Sequence, residues 1–79
     1  MHKIQILGTG CAKCVNLTNA AVAAAEELGI DYELEKVTDF LRFADFGVMV
    51  TPALVVDGKV VATGKVPKHA ELVELLAKN

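Results

Sequence analysis

The sequence predicts one α/β domain with the element order β-α-β-α-β-β-α, a mixed four-stranded sheet and three helices. Three features predict this fold: a long helical stretch follows the first strand, a second strand follows that helix, and an Asp-Gly turn joins the last two strands. Strands connected by a helical crossover are parallel, whereas strands joined by a two-residue turn are antiparallel. The sheet is therefore expected to be mixed and covered by helices.

The first half of the chain reads as a strand, a turn and a helix. Residues 3–7 form the strand, and the glycines within residues 8–10 end it. A helix is expected over residues 12–28, because apolar side chains recur there at steps of three and four. These side chains share one helical face: Cys14, Leu17, Ala21, Ala24 and Leu28. Gly29 is a natural C-terminal cap for this helix.

A second strand and a short helix follow. Residues 30–37 largely alternate apolar and polar side chains, which is typical of a strand with one buried face. Thr38 is predicted to cap a helix over residues 39–46, and Gly47 to end it. The apolar face of that helix would carry three side chains: Phe40, Phe43 and Ala44.

The last third of the chain predicts a hairpin and a terminal helix. Residues 53–56 and 59–63 are the two strands, and Asp57-Gly58 is a strong hairpin turn between them. Pro67 stands just before a helix over residues 68–78, a position that suits the first turn of a helix.

Composition narrows the possible functions. The chain has 79 residues, of which 53% are hydrophobic and 23% charged, so we expect one globular domain over residues 1–79. The net charge is −2 and no basic stripe is present, which argues against nucleic acid as a partner. Residues 20–25 are too short an apolar stretch to span a membrane, which takes about 20 residues. No apolar leader precedes the first strand, so a cytoplasmic protein is expected.

The two cysteines are the strongest candidates for chemistry. Cys11 and Cys14 stand as Cys-x-x-Cys at the predicted helix start, where unpaired N–H groups and the helix dipole favour an anion. Such sites lower the pKa of a cysteine thiol, and Lys13 adds a positive charge nearby. Cys14 continues the buried stripe of the helix. We therefore expect Cys11 to attack a substrate disulfide and Cys14 to resolve the mixed disulfide.

Three alternatives remain open for this pair. The cysteines could be inert apolar side chains, the thiols of a redox-sensing or interaction module without turnover, or ligands of a soft metal such as Cu(I). Thr9 stands where heavy-metal carriers usually have Met, and the chain ends in a helix where such carriers end in a strand; both features disfavour a carrier. A structural zinc site needs four ligands, and His2 and His69 lack metal-ligand spacing, so no metal site is predicted.

The run 8–14, with residues 50–58 downstream, resembles the thioredoxin superfamily, in particular its compact redox-active disulfide proteins of glutaredoxin-like size. The resemblance covers essentially the whole chain and implies a shortened thioredoxin-like fold. It also implies that Cys11 is the nucleophile, that Cys14 is the resolving thiol, and that Pro52 is cis beside them. Thr51 would present its backbone to an extended peptide. From the residues alone, Pro52 would be read as a trans proline that begins an edge strand.

The resemblance implies a thiol–disulfide oxidoreductase that reduces protein disulfides. Its partners would be disulfide-containing target proteins and a thioredoxin-reductase-like electron donor, and a monomer is expected. It would need no cofactor beyond a reversible Cys11–Cys14 disulfide. The chain departs from larger thioredoxins in lacking Trp, in having Gly10 before the pair, and in having Ala12-Lys13 within it. The charged residue usually buried behind the resolving cysteine has no clear counterpart in residues 4–7.

Overall fold

Strands and helices alternate along the chain in the predicted order. The computed structural model describes residues 2–10 and 12–78. Within them lie four strands and three helices, and their bounds are β1 His2–Leu7, α1 Ala12–Leu28, β2 Tyr32–Val37, α2 Phe40–Asp45, β3 Ala53–Val56, β4 Lys59–Thr63 and α3 His69–Ala77. The predicted fold class is confirmed.

The strand order of the sheet brings several chain segments to one end. The order is β2-β1-β3-β4, with β1 parallel to β2 and antiparallel to β3, which in turn pairs antiparallel with β4. Leu7 therefore pairs with Val37 at the end of β2 and with Ala53 at the start of β3. We call this edge the Leu7 end of the sheet. The turn after β1, the segment after β2 and the segment before β3 all lie there.

One face of the sheet packs against α1 and α3. Alternate residues of the central strands are fully or almost fully buried on this face, among them Ile4, Ile6, Leu54 and Val56. The facing side of α1 is rich in alanine, and small side chains permit helix and sheet to approach closely. None of the helices within residues 2–10 and 12–78 has both the length and the apolarity that a membrane span requires.

The other face is covered by apolar side chains of α2 and of the segment after it, Phe43, Phe46 and Val48, and by a polar network. Phe43 of the short helix α2 packs against Leu7, Val37 and Val55. Farther along this face, the Gln5 amide donates to the Glu35 carboxylate at 2.7 Å, and Arg42 lies 3.4 Å from the same carboxylate. The hydrogen bond from Gln5, with a smaller contribution from Arg42, lowers the pKa of Glu35 below its usual value.

Helix α1 ends in a Schellman motif, and this shortens the following strand. The N–H of Gly29 donates to the carbonyl of Glu26 at 3.1 Å, and the N–H of Ile30 donates to the carbonyl of Ala25 at 3.3 Å. Gly29 has a φ of 67°, which glycine adopts at little cost. Ile30 is thus part of the helix terminus, and β2 begins at Tyr32 instead of at the predicted residue 30.

Two details of α2 correct the sequence interpretation. Asp39, not Thr38, caps the helix, since its side chain accepts from the N–H of Leu41 at 2.9 Å. Both residue types are good caps, so the sequence left the choice between neighbours ambiguous. Phe43 is the one buried residue of α2, whereas Phe40 and Ala44 are exposed. A helix of six residues presents little more than one position to the sheet.

Both histidines contact carboxylates. Nε2 of His69, at the start of α3, lies 3.1 Å from a carboxylate oxygen of Glu27 near the end of α1. Nδ1 of His2 lies 2.7 Å from Asp57 in the β3–β4 turn, and the N–H of Lys3 donates to the same carboxylate at 2.8 Å. The Asp57 carboxylate therefore links the start of β1 to the hairpin turn by these two contacts.

These contacts of Asp57 should make the free energy of unfolding depend on pH. The Lys3 hydrogen bond, followed by the His2 contact, lowers the pKa of Asp57 in the folded chain. Stability from this carboxylate is present above the unfolded pKa of Asp, about 3.9, and is lost as the pH falls through the lower folded pKa. Asp57→Asn, which also tolerates the local φ of 52°, should therefore lower the free energy of unfolding more at pH 6 than at pH 3.

Urea unfolding at the two pH values measures this difference. Asp45→Asn is the matched control, because the Asp45 side chain has no hydrogen-bond or ion-pair partner among the described residues. Equal losses at pH 6 and pH 3 for Asp57→Asn would contradict the assignment.

Candidate active site

The structure describes one member of the cysteine pair. Cys14 lies in the first turn of α1 with 5% of its surface exposed, on the buried side of the helix. Cys11 directly precedes the helix in sequence but lies outside the described residues. Its accessibility and its role as the attacking thiol therefore stay predictions.

Gly8 makes room for the Cys14 sulfur. Gly8 directly follows β1, is buried, and donates its N–H to the carbonyl of Val37 at 3.0 Å. A Cβ at this position would overlap Sγ of Cys14 and lie 3.3 Å from the Cys14 Cβ. The same Cβ would lie 4.0 Å from Cα of Pro52. The sulfur is thus held against bare backbone, and Gly8 lies close to both Cys14 and Pro52.

The segment before β3 presents Pro52 to this site. The Thr51–Pro52 peptide bond is cis, with Pro52 buried and Thr51 exposed. The carbonyl of Pro52 accepts from the N–H of Gly64 at 2.7 Å. Gly64 has a φ of 73°, and a Cβ there would come within 2.9 Å of the Val50 side chain. Gly64 therefore lets this segment pack closely against the end of β4.

Thr51 has unused backbone hydrogen-bonding groups. Its N–H and its carbonyl have no hydrogen-bond partner within residues 2–10 and 12–78. Thr51 is also exposed, so both groups are open to another molecule. An extended peptide lying along this segment could pair with them, as strands pair at a sheet edge.

A pocket opens beside Cys14. Its walls come from the turn after β1, from α1 and from the ends of β1 and β2: Ile6, Gly8, Gly10, Cys14, Val15, Thr18, Lys36 and Thr38. The Thr18 hydroxyl donates to the Cys14 carbonyl at 2.9 Å and so ties the first two turns of α1 together. Lys36 is the charged residue among these lining residues.

Sequence reasoning missed the lining residues from β2. Lys36 aligns with Ile6 in the parallel register, and Thr38 follows the end of that strand. The carboxyl ends of parallel neighbours lie at the same edge, so the predicted crossover already implied that the residues after β2 lie near Gly8. Thr18 lies four residues after Cys14, and the helical period would have placed it on the same face.

The sequence predicts that the positive charge of Lys13 lies near the two cysteines. It is exposed in the first turn of α1, and that turn contains no acidic residue. The described residues contain no group of three or more His, Cys, Asp or Glu side chains arranged to hold a metal ion.

Comparison with known proteins is consistent with this arrangement. A family model described as a thioredoxin domain matches residues 2–77. The chain is 42% identical to a thioredoxin of Methanothermobacter thermautotrophicus, over 98% of this chain and 100% of that protein. It is 45% identical to a thioredoxin of Methanocaldococcus jannaschii, over 96% of this chain and 87% of that protein.

A solved structure shows the same fold at much lower identity. Thioredoxin-2, described as a component of the protein secretion machinery of the malaria parasite, superimposes with a TM-score of 0.73 and 15% identity. The match covers 100% of this chain and 84% of that one, and it concerns the fold alone. The family match and the two thioredoxins of similar length are evidence for function as well as fold. They show that this chain is a member of the thioredoxin family with a thioredoxin-like redox function.

Proposed function

We propose that this protein reduces disulfide bonds of target proteins through Cys11 and Cys14, with their reversible disulfide as its only redox group. One observation carries the proposal: the Cys14 sulfur is buried against Gly8, and Gly8 lies close to Pro52, which directly follows the unpaired backbone of Thr51. A shielded thiol thus lies next to a segment able to hold an extended peptide. The 42% and 45% identical relatives are both named thioredoxin, which supports the same chemistry.

The proposed reaction moves two electrons in two exchange steps. The Cys11 thiolate attacks one sulfur of the target disulfide, forms a mixed disulfide, and releases the other target sulfur as a thiolate that takes up a proton. Cys14 then loses its proton and attacks Sγ of Cys11, which releases the second target thiolate. The target disulfide is reduced to two thiols, and the pair is oxidised to a Cys11–Cys14 disulfide.

Thr51 and Pro52 would bind the substrate. A peptide paired with the free N–H and carbonyl of Thr51 would lie extended beside Pro52, and its disulfide would then face the start of α1. Backbone pairing of this kind is independent of side-chain identity, so one site can accept many sequences.

The start of α1 would favour the attacking thiolate. The unpaired N–H groups of a helix N-terminus attract negative charge, and no acidic side chain in the first turn of α1 opposes them. Lys13, exposed in that turn, would add a positive charge. The oxidised pair must then receive two electrons from a donor, for which a thioredoxin-reductase-like protein is the proposed class.

Reduction of insulin by the dithiol-reduced protein tests the proposal. Cys11→Ser should abolish turnover, because no attacking thiolate remains. Cys14→Ser should stop after the first step and accumulate a mixed disulfide, which mass spectrometry detects as a covalent adduct. Turnover that survives Cys11→Ser would refute the assigned roles. Absence of insulin reduction together with sulfur ligation of Cu(I) would favour the metal-carrier alternative.

The burial of Cys14 predicts unequal thiol reactivity. At neutral pH, iodoacetamide should modify Cys11 at least about tenfold faster than Cys14, since the thiolate must be accessible to react. Cys14→Ser and Cys11→Ser each isolate one thiol, and mass spectrometry of timed samples gives the two rates. Equal rates in the folded state would contradict this prediction, and equal rates in urea serve as its control.

Gly8→Ala should damage the site through overlap with Sγ of Cys14. The overpacking should lower the free energy of unfolding by about 1–3 kcal/mol. It should also slow release of the target from the mixed disulfide by about tenfold to hundredfold, because misplacement by about 1 Å has costs of this size. Single-turnover kinetics measures that release.

Gly47→Ala is the matched control. Gly47 has a φ of 71°, so alanine there is strained, but the added Cβ has open space around it and lies outside the site. This control should lose stability and keep its release rate. A Gly8→Ala protein with a wild-type release rate would show that the close contact is unimportant for the reaction.

A further inference from the structure

The second exchange step requires Cys14 to lose its proton from a buried position. Only 5% of the Cys14 surface is exposed, and a charge that is shielded from bulk water is costly unless water or an opposite charge compensates it. On one side the sulfur meets the bare backbone of Gly8. The surroundings of Cys14 must therefore supply both a route for the proton and a charge that offsets the anion.

The pocket beside Cys14 connects this residue to solvent. Its cavity volume is about 50 Å³, and one water takes roughly 10–15 Å³ of such space, so a few waters fit. Exposed residues form part of its wall, among them Gly10, Lys36 and Thr38, so the pocket is open at the surface. A proton that leaves the Cys14 thiol can pass to water in this space.

The strand register places Lys36 on the same face of the sheet as α1. Lys36 pairs with Ile6, which is buried beneath α1. The preceding residue, Glu35, pairs with Gln5 and accepts its amide hydrogen bond on the face that α2 covers. Successive side chains of a strand point to opposite faces, so the sheet separates the Glu35 carboxylate from Lys36. Lys36 lines the pocket that also contains Cys14.

The charge of Lys36 is not paired with an acid in the described structure. Arg42 pairs with Glu35, whereas Lys36 has no ion-pair or side-chain hydrogen-bond partner within residues 2–10 and 12–78. No acidic residue is among the described residues that line the pocket. Lys13 shares the first turn of α1 with Cys14 but is not one of these lining residues. Among the described residues, Lys36 is thus the cation that shares a cavity with Cys14.

We propose that Lys36 stabilises the Cys14 thiolate that forms in the second exchange step. This inference rests on the proposed disulfide reduction and assigns a supporting charge to one of its steps. The Cys14 thiol gives its proton to water in the pocket, and the flexible ammonium group of Lys36 offsets the negative charge left on Sγ. The thiolate then bonds to Sγ of Cys11, the bond between Cys11 and the target breaks, and the target thiolate takes up a proton from solvent.

Dithiodipyridine separates the two exchange steps, because this uncharged disulfide releases a coloured product at each of them. At high reagent concentration the first release outpaces the second, and stopped-flow absorbance measures the second. Lys36→Met keeps an unbranched side chain but removes its charge, and it should slow the second release about threefold to tenfold. Lys36→Arg keeps the charge and should stay within about twofold of the wild type. The first release should change by less than about twofold in both variants.

Alkylation of Cys14 by iodoacetamide in the Cys11→Ser background measures the same effect without turnover. Because the thiolate is the form that reacts, adding Lys36→Met should lower the rate about threefold to tenfold at neutral pH. Raising the KCl concentration from about 0.02 M to about 1 M should reduce this difference to below about twofold, since salt screens exposed charges. A purely structural role of Lys36 would leave the difference independent of salt.

Lys59→Met is the matched control. Lys59 is exposed and pairs with Val56, at the end of the sheet opposite Leu7. This variant removes the same charge far from the pocket, so it should match the wild type in both measurements.

A second release that is unchanged in Lys36→Met, or that is slowed equally in Lys36→Arg, would overturn the inference and leave disulfide reduction standing. A loss of Cys14 alkylation that does not respond to salt would also overturn it, because packing and not charge would then be the cause. If the wild-type protein reduces no insulin, the proposed function fails and the inference fails with it.

Discussion

The rest of the site depends on the contact between the Cys14 sulfur and the backbone of Gly8. A side chain at position 8 would occupy the space of the sulfur, so glycine must directly follow β1 for α1 to begin where it does. This contact brings the first turn of α1 against the end of β1, and the pairing of β1 with β3 then brings Pro52 to the same place. The sheet, the helix and the proline segment meet at one residue without a side chain.

Buried side chains that alternate along the central strands explain how so short a chain holds Cys14 against Gly8. The face under α1 and α3 holds large buried side chains of both central strands, which contribute about 1.5–3 kcal/mol each when fully buried. Alanines on α1 let the helix lie close to that layer. The N-terminus of α1 is thereby fixed by packing along the whole helix, and Cys14 is positioned by the same packing.

The spacing of apolar residues along the chain was enough to predict most of the fold. It did not predict which residues come into close contact. The stripe that begins at Cys14 follows the helical period, and the Asp57-Gly58 turn has few alternatives, so both were correct in the sequence analysis. Gly8 was interpreted only as a turn residue, because a sequence does not show what a missing side chain makes room for. Phe40 was placed on a buried face, since sequence alone does not tell how few positions a short helix covers. The cis geometry at Pro52 was expected from the family resemblance alone.

The network of Gln5, Glu35 and Arg42 divides the sheet into two physically different faces. On the face that α2 covers, part of the stabilising contact is electrostatic and lies near solvent. Dissolved ions screen exposed charges but leave apolar packing largely unaffected, and they strengthen it when they are strongly hydrated. Changes in ionic strength should therefore act on the α2 face of the domain. The helix that carries Cys14 rests mainly on apolar packing against the opposite face, so the position of the thiol should depend less on the salt content of its surroundings.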